Sequence, residues 1–205
     1  MPTEEMARIQ VIAVTPADTL RWVRPDLLFR LLPFAVAVAV AWLAWRPAWL
    51  GLSLGDPRWQ LGFGVVGLPV MFLLATALQL PLSRHRGAVR VGNPPDVLLE
   101  AGFYVLNGPL EEGFFRGLVQ GGLGFLLGSP IGFLLGTAGY VLYHRLGGWT
   151  WADVAATALA GVPLGLAFWL LPGPPSLLGV SLAHIGATCG FLGPGPYLLH
   201  RLRLL

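Results

Sequence analysis

Three ionisable side chains stand close together in a stretch of this sequence that is otherwise largely apolar. They are Glu111, Glu112 and Arg116, inside residues 97–127, which have the hydropathy of a membrane segment. A charged side chain at the centre of a bilayer costs about 3 kcal/mol on insertion scales. Because such a cost needs a compensating role, these three residues are the first candidates for chemistry.

The spacing of these residues predicts different roles for the two glutamates. The Asn-Gly-Pro sequence at 107–109 predicts a helix that begins at its proline, with the glutamates in the first turn, where the helix dipole favours negative charge. Glu112 and Arg116 are four residues apart and can pair, whereas Glu111 points about 100° away. We therefore expect Arg116 to hold Glu112 and Glu111 to be available as a general base.

Two histidines in other apolar segments can join this chemistry. His144 follows Tyr140 by one helical turn, and His184 precedes Thr188 by one turn, so each pair shares a helix face. Such side chains can converge inside a membrane bundle. A glutamate with a nearby histidine can activate water for peptide hydrolysis, and a histidine with a hydroxyl can donate to the oxyanion.

Zinc is a competing interpretation of the same residues. Glu111, His144 and His184 would supply three ligands and leave one position for water. The sequence has no His-Glu-x-x-His motif, however, and these ligands come singly from separate segments. We favour metal-free catalysis and keep zinc as the alternative.

The composition is that of an integral membrane protein. Of the 205 residues 55% are hydrophobic and only 11% are charged, against about 25% charged residues in soluble domains. The thirteen basic residues are all arginines, and they lie at segment ends rather than in one patch, so we expect no nucleic-acid partner. The single cysteine, Cys189, excludes an internal disulfide and a cysteine-based zinc cluster.

Hydropathy predicts an all-α, polytopic membrane helix bundle with about six full transmembrane helices. The predicted spans are 27–45, 61–82, 109–127, 130–146, 152–171 and 176–199. A short interfacial or re-entrant helix is expected at 97–107. Residues 1–26 form an N-terminal cytoplasmic or interfacial segment with a helix start at 15–18, and 27–205 form one membrane domain with its catalytic core at about 97–192.

The arginines also predict the orientation of the chain in the membrane. With six spans, the basic N-terminal segment, the 83–90 loop and the C-terminal tail lie on one side, which the positive-inside rule makes cytoplasmic. We expect a protein of the cell inner membrane with both termini in the cytoplasm.

Arg30 is expected to snorkel to the lipid headgroups. Because water must reach Glu111 for it to act as a base, Gly108 and Pro109 should border a cavity open to the cytoplasmic leaflet.

Three motifs in this order resemble those of the CPBP (ABI) intramembrane proteases, a family that includes the type-2 CAAX prenyl endopeptidase. The first is Glu111-Glu112-x-x-x-Arg116. The second is Tyr140-x-x-x-His144, in which the family usually has Phe, and the third is His184-x-x-x-Thr188, in which Asn is common.

The resemblance implies an intramembrane endopeptidase that acts in the lipid bilayer on a peptide or membrane-protein substrate, such as a C-terminal tail. By this resemblance Glu111 and His144 activate water, His184 and Thr188 stabilise the oxyanion, and Glu112 with Arg116 supports them. Two alternatives stay open. One is a proton-coupled transporter that uses Glu111, His144 and His184 as a relay; the other is a non-catalytic scaffold for a membrane partner, which Thr188 favours.

Overall fold

The computed structural model describes residues 9–205, and most of them are helical. The helices are α1 (Pro16–Asp26), α2 (Leu32–Trp45), α3 (Pro57–Arg86), α4 (Pro94–Glu112), α5 (Gly122–Leu127), α6 (Ser129–Tyr143), α7 (Trp151–Leu170), α8 (Leu178–Phe191) and α9 (Pro194–Arg201). Two π-helical stretches, Leu27–Leu31 and Gly113–Gly121, join α1 to α2 and α4 to α5 without a break. Short 3₁₀ turns lie at Ala48–Leu50 and His144–Gly147. The prediction of an all-α bundle is confirmed.

Three helices within residues 9–205 are long and apolar enough to cross a membrane. They are Pro16–Trp45, Pro57–Arg86 and Trp151–Leu170, and α8 is a shorter apolar helix. The total of about six spans stays a prediction. The division into residues 1–26 and 27–205 also stays a prediction, and its first eight residues lie outside the described part.

The predicted helix start near residue 15 is present. Thr15 caps α1, and the backbone N–H and the hydroxyl of Thr15 both donate to the carboxylate of Asp18. Residues before α1 form a strand that the sequence did not reveal. This strand, β1 (Gln10–Val14), pairs in parallel with β2 (Ala88–Gly92), which links α3 to α4.

The predicted break at 107–109 is wrong, because α4 continues through Pro109. The helix is supported there by α8: a Cβ atom on Gly108 would lie only 2.9 Å from Ile185 Cγ1 and 3.3 Å from the Ser181 carbonyl oxygen. Close packing of this kind keeps a proline-containing membrane helix intact. Glu111 therefore lies 17 residues after Pro94, about 26 Å along the helix axis, and not in a first turn.

The predicted span 176–199 is also wrong as a single helix. It consists of α8 and α9, which are separated at Leu192 and Gly193. Gly193 has a φ of 43°, in the left-handed region that favours glycine, and Pro194 then begins α9. α8 packs against α3, α4, α7 and α9, so it brings its side chains to the middle of the bundle.

Candidate active site

The predicted ion pair between Glu112 and Arg116 is present and fully buried. Arg116 Nε donates to Glu112 Oε2 at 3.2 Å, and neither residue is exposed. The remaining guanidinium hydrogen bonds go to the Gly161 carbonyl oxygen at 2.9 Å and to the side chains of Thr137 and Gln120. Arg116 thereby connects the π-helical stretch to α6 and α7, and each of its three side-chain nitrogens has a partner.

His184 lies between the two glutamates. Its Nδ1 is 2.6 Å from Glu112 Oε1, and its Nε2 is 3.3 Å from Glu111 Oε2. The close approach of α8 to α4 at Gly108 makes both contacts possible. A carboxylate only accepts hydrogen bonds, so a proton must lie in each of these two contacts.

Glu111 does not pair with Arg116, as the helical spacing predicted, but it has another cationic partner that the sequence did not reveal. Arg30 Nη1 donates to Glu111 Oε1. The same guanidinium donates through Nη2 to Asn107 Oδ1 at 2.6 Å and through Nε to Asp26 Oδ1 at 2.6 Å. Arg30 therefore points into the bundle instead of snorkelling to the headgroups. The two carboxylates compensate the free energy that burial of its charge costs.

Together these contacts form one chain of alternating charge. It runs from Asp26 through Arg30, Glu111, His184 and Glu112 to Arg116. Three carboxylates face two guanidinium groups and one imidazole, so the chain is electrically neutral when the imidazole carries both protons. Burial of so many charges is tolerable only because each has an opposite neighbour and hydrogen bonds.

A cavity of about 1200 Å³ gives access to part of this chain. Its wall contains the predicted site residues Glu111, His144, His184 and Thr188. Glu112 and Arg116 lie behind that wall. The expectation that Gly108 and Pro109 border the cavity is wrong, since Gly108 packs on α8; the helix lines the cavity with Asn107 and Glu111 instead.

His144 lines the same cavity but is held by other contacts. Its Nδ1 is 2.8 Å from the Tyr140 carbonyl oxygen, so Nδ1 must carry a proton and Nε2 of the neutral ring is an acceptor. The Tyr140 ring packs edge-on against both His144 and His184, with centroids 4.9 and 5.7 Å away. Trp149 also packs against His144, with ring centroids 5.0 Å apart. These rings fix the orientation of the imidazole.

Thr188 lies one turn after His184 in the cavity wall, and its hydroxyl makes no hydrogen bond within residues 9–205. Both ring nitrogens of His184 face carboxylates rather than the cavity. The role of His184 and Thr188 as oxyanion donors stays a prediction, and the contacts of His184 do not favour it.

The arrangement does not fit the zinc alternative. Within the described residues 9–205, no group of three or more His, Cys, Asp or Glu side chains is placed to hold a metal ion. Both ring nitrogens of His184 face carboxylates, so His184 has no nitrogen left for a metal ion. Glu111, His144 and His184 therefore do not form a common ligand set here.

Comparison with protein families gives a match over the part of the chain that holds the site. Residues 93–189 match the Rce1-like family, described as type II CAAX prenyl endopeptidase Rce1-like. Residues 93–189, just under half of the chain, therefore resemble an Rce1-like protease domain. The match contains all six predicted site residues and confirms the predicted resemblance, and the matched family is one of CAAX-type peptide hydrolases. No curated protein and no solved structure matches the chain.

Arg30 and Asp26 lie outside the part of the chain that matches the Rce1-like family. Sequence reasoning missed both as site residues. One local signal was present, because Asp26 and Arg30 are four residues apart at the start of an apolar segment. The link from Arg30 to Glu111 spans 81 residues, and periodicity cannot reveal such a contact.

The close approach of α4 and α8 gives a testable prediction. Gly108→Leu should force the helices apart, lowering the free energy of unfolding by about 1–3 kcal/mol through overpacking and weakening hydrolysis through His184. Gly102→Leu is the matched control, because a Cβ atom at Gly102 meets nothing within 4 Å. Thermal unfolding in detergent measures the difference, and equal stability of the two variants would contradict this interpretation.

Proposed function

We propose that the Rce1-like domain hydrolyses a peptide bond with a water molecule that Glu111 activates. The observation that carries this proposal is the position of Glu111: its carboxylate lies in the cavity wall and is held from two sides by Arg30 and His184. A carboxylate has about four acceptor positions, and these contacts use two. The others remain for a water molecule and its proton.

The proposed reaction has two steps. Glu111 takes one proton from water while the water oxygen bonds to the scissile carbonyl carbon, and the carbonyl electron pair moves onto oxygen. The C–N bond then breaks as Glu111 returns that proton to the leaving nitrogen. His144 is proposed to orient the water through its Nε2 acceptor, since that nitrogen belongs to a cavity-lining ring whose Nδ1 is already bound.

Glu112 and Arg116 are proposed to act through His184 rather than on the substrate. Both are fully buried behind the cavity wall, and Glu112 holds His184 Nδ1. The histidine in turn holds Glu111 in one orientation. Preorganised contacts of this kind let a catalytic group act without moving during the reaction.

The proposed substrate is a C-terminal tail that enters the cavity in an extended conformation. The family is described as a prenyl endopeptidase, and apolar side chains of α3 and α7, including Leu74, Leu78 and Leu159, form part of the cavity wall. A prenylated CAAX tail is therefore the first substrate class to test. We also propose that the protein lies in the cell inner membrane with both termini and the cavity on the cytoplasmic side, because the positive-inside rule assigns arginine-rich segment ends to that side.

Purified protein in liposomes tests the proposal with two fluorescence-quenched peptides. One ends in a farnesylated CAAX sequence, and its twin has the same sequence without the farnesyl group. We expect cleavage of the farnesylated peptide, because its apolar group can occupy the apolar wall. If a correctly folded preparation cleaved neither peptide, the proposed substrate class would be wrong, and binding without cleavage would favour the scaffold alternative.

A further inference from the structure

Arg30 lies beside the proposed general base Glu111, where a side chain could contact the substrate. It lies on the π-helical stretch before α2, outside the part of the chain that matches the Rce1-like family, and its side chain lines the cavity beside Glu111. A residue needed only to neutralise Glu111 would require one contact. Arg30 instead makes hydrogen bonds to three different side chains.

A count of its donors leaves one N–H group unused. A guanidinium has five N–H groups. The Nε–H group donates to Asp26, and the two N–H groups of Nη2 donate to Asp26 and Asn107. One of the two N–H groups of Nη1 donates to Glu111. The second Nη1 hydrogen meets no acceptor at hydrogen-bonding geometry within residues 9–205. The side chain of Tyr143, which also lines the cavity, lies within hydrogen-bonding reach of this guanidinium, so a substrate oxygen would compete with it.

Hydrolysis at Glu111 needs a donor for the negative charge that develops on the carbonyl oxygen. Both nitrogens of His184 already face carboxylates, and Thr188 offers a single hydroxyl. We propose, resting on the proposed function, that the free Nη1 hydrogen of Arg30 binds this oxyanion. Arg30 is then a catalytic residue supplied from outside the matched domain.

The distances suit this role. Two acceptors bound to the two hydrogens of one nitrogen lie about 5 Å apart. One of these acceptors is Glu111 Oε1. If the substrate's carbonyl oxygen accepts the second Nη1 hydrogen, the scissile carbonyl carbon lies next to a water molecule bound by Glu111. Asp26 and Asn107 are positioning residues in this arrangement, because they bind the other side of the guanidinium and prevent it from turning away.

Arg30→Lys is the sharpest test, since lysine keeps the charge but has only three donors. Asp26, Asn107 and Glu111 would occupy all three and leave none for the oxyanion. We expect kcat to fall about 10²–10³-fold on the farnesylated peptide, with KM changed less than about threefold. Arg24→Lys is the control, because Arg24 is exposed on α1 and should keep the wild-type rate.

A tetrahedral phosphonamidate analogue of the peptide separates a catalytic role from a structural one. If Arg30 binds the oxyanion, Arg30→Lys should weaken binding of this analogue by about the factor lost from kcat and leave binding of the uncleaved peptide unchanged. Equal weakening of both ligands, or a loss of kcat below about tenfold, would overturn the proposal.

A second variant keeps the test decisive if Arg30→Lys does not fold. Arg30→Ala opens space at the cavity wall, and added guanidinium should restore part of its activity. Tetramethylammonium, which has a charge but no N–H donor, should not. Restoration by both ions, or by neither in a folded variant, would overturn the proposal. Failure of the wild-type protein to cleave any peptide would instead contradict the proposed function.

Discussion

Replacing Glu111 by Gln is expected to abolish peptide hydrolysis while the protein remains folded. The amide keeps the size of the side chain and can still accept a hydrogen bond from Arg30, but it cannot take a proton from water. Loss of a general base typically reduces turnover about 10²–10⁴-fold. Initial rates on the farnesylated peptide, together with the melting temperature in detergent, measure the two effects separately.

Glu100→Gln is the matched control for this variant. Glu100 lies on the same face of α4, three helical turns before Glu111, and lines the same cavity without joining the charged chain. Its loss should reduce turnover far less than Glu111→Gln does. If the Glu111 variant retained a near-normal rate, Glu111 could not be the base.

The second large effect is expected for Arg116→Met, and it concerns stability. This change leaves the carboxylate of Glu112 buried with only His184 as a partner. Breaking a buried pair from one side costs about 3–5 kcal/mol, because a charge is left without compensation. Denaturant unfolding in detergent should show this loss, whereas Arg46→Met, at an exposed position, should change little.

The double variant Glu112→Leu/Arg116→Met identifies the cause of that loss. When both charges are removed, no unpaired charge is buried, so the double variant should recover part of the stability that Arg116→Met loses. A double variant as unstable as the sum of the two single changes would show that the ion pair does not carry the effect.

The sequence predicted the local parts of this site and none of its long-range electrostatics. The Glu112–Arg116 pair follows from a spacing of four residues on one helix, and the helix start at Thr15 follows from its cap. Composition predicted the membrane class and the helical fold. The motifs around His144 and His184 pointed to the residues that line one cavity, although not to their contacts.

What the sequence could not predict depends on packing between distant segments. α4 continues through Pro109 because α8 supports it at Gly108, and no local rule for proline includes that contact. The π-helical stretches that carry Arg30 and Arg116 have no recognised sequence signal. The expectation that Arg30 snorkels rested only on its position near the start of a predicted span. The carboxylates of Asp26 on α1 and Glu111 on α4 determine where its side chain points.

Single-turnover hydrolysis in H₂¹⁸O tests the role of Glu111-activated water most directly. With the wild-type protein, mass spectrometry of the product should show one ¹⁸O atom in the new C-terminal carboxylate, and Glu111 should stay unlabelled. Glu111→Gln should give no labelled product on the same timescale. A first-turnover product that contains only ¹⁶O, with the heavy atom on Glu111, would contradict direct attack by water, as would labelled product formed at the wild-type rate by Glu111→Gln.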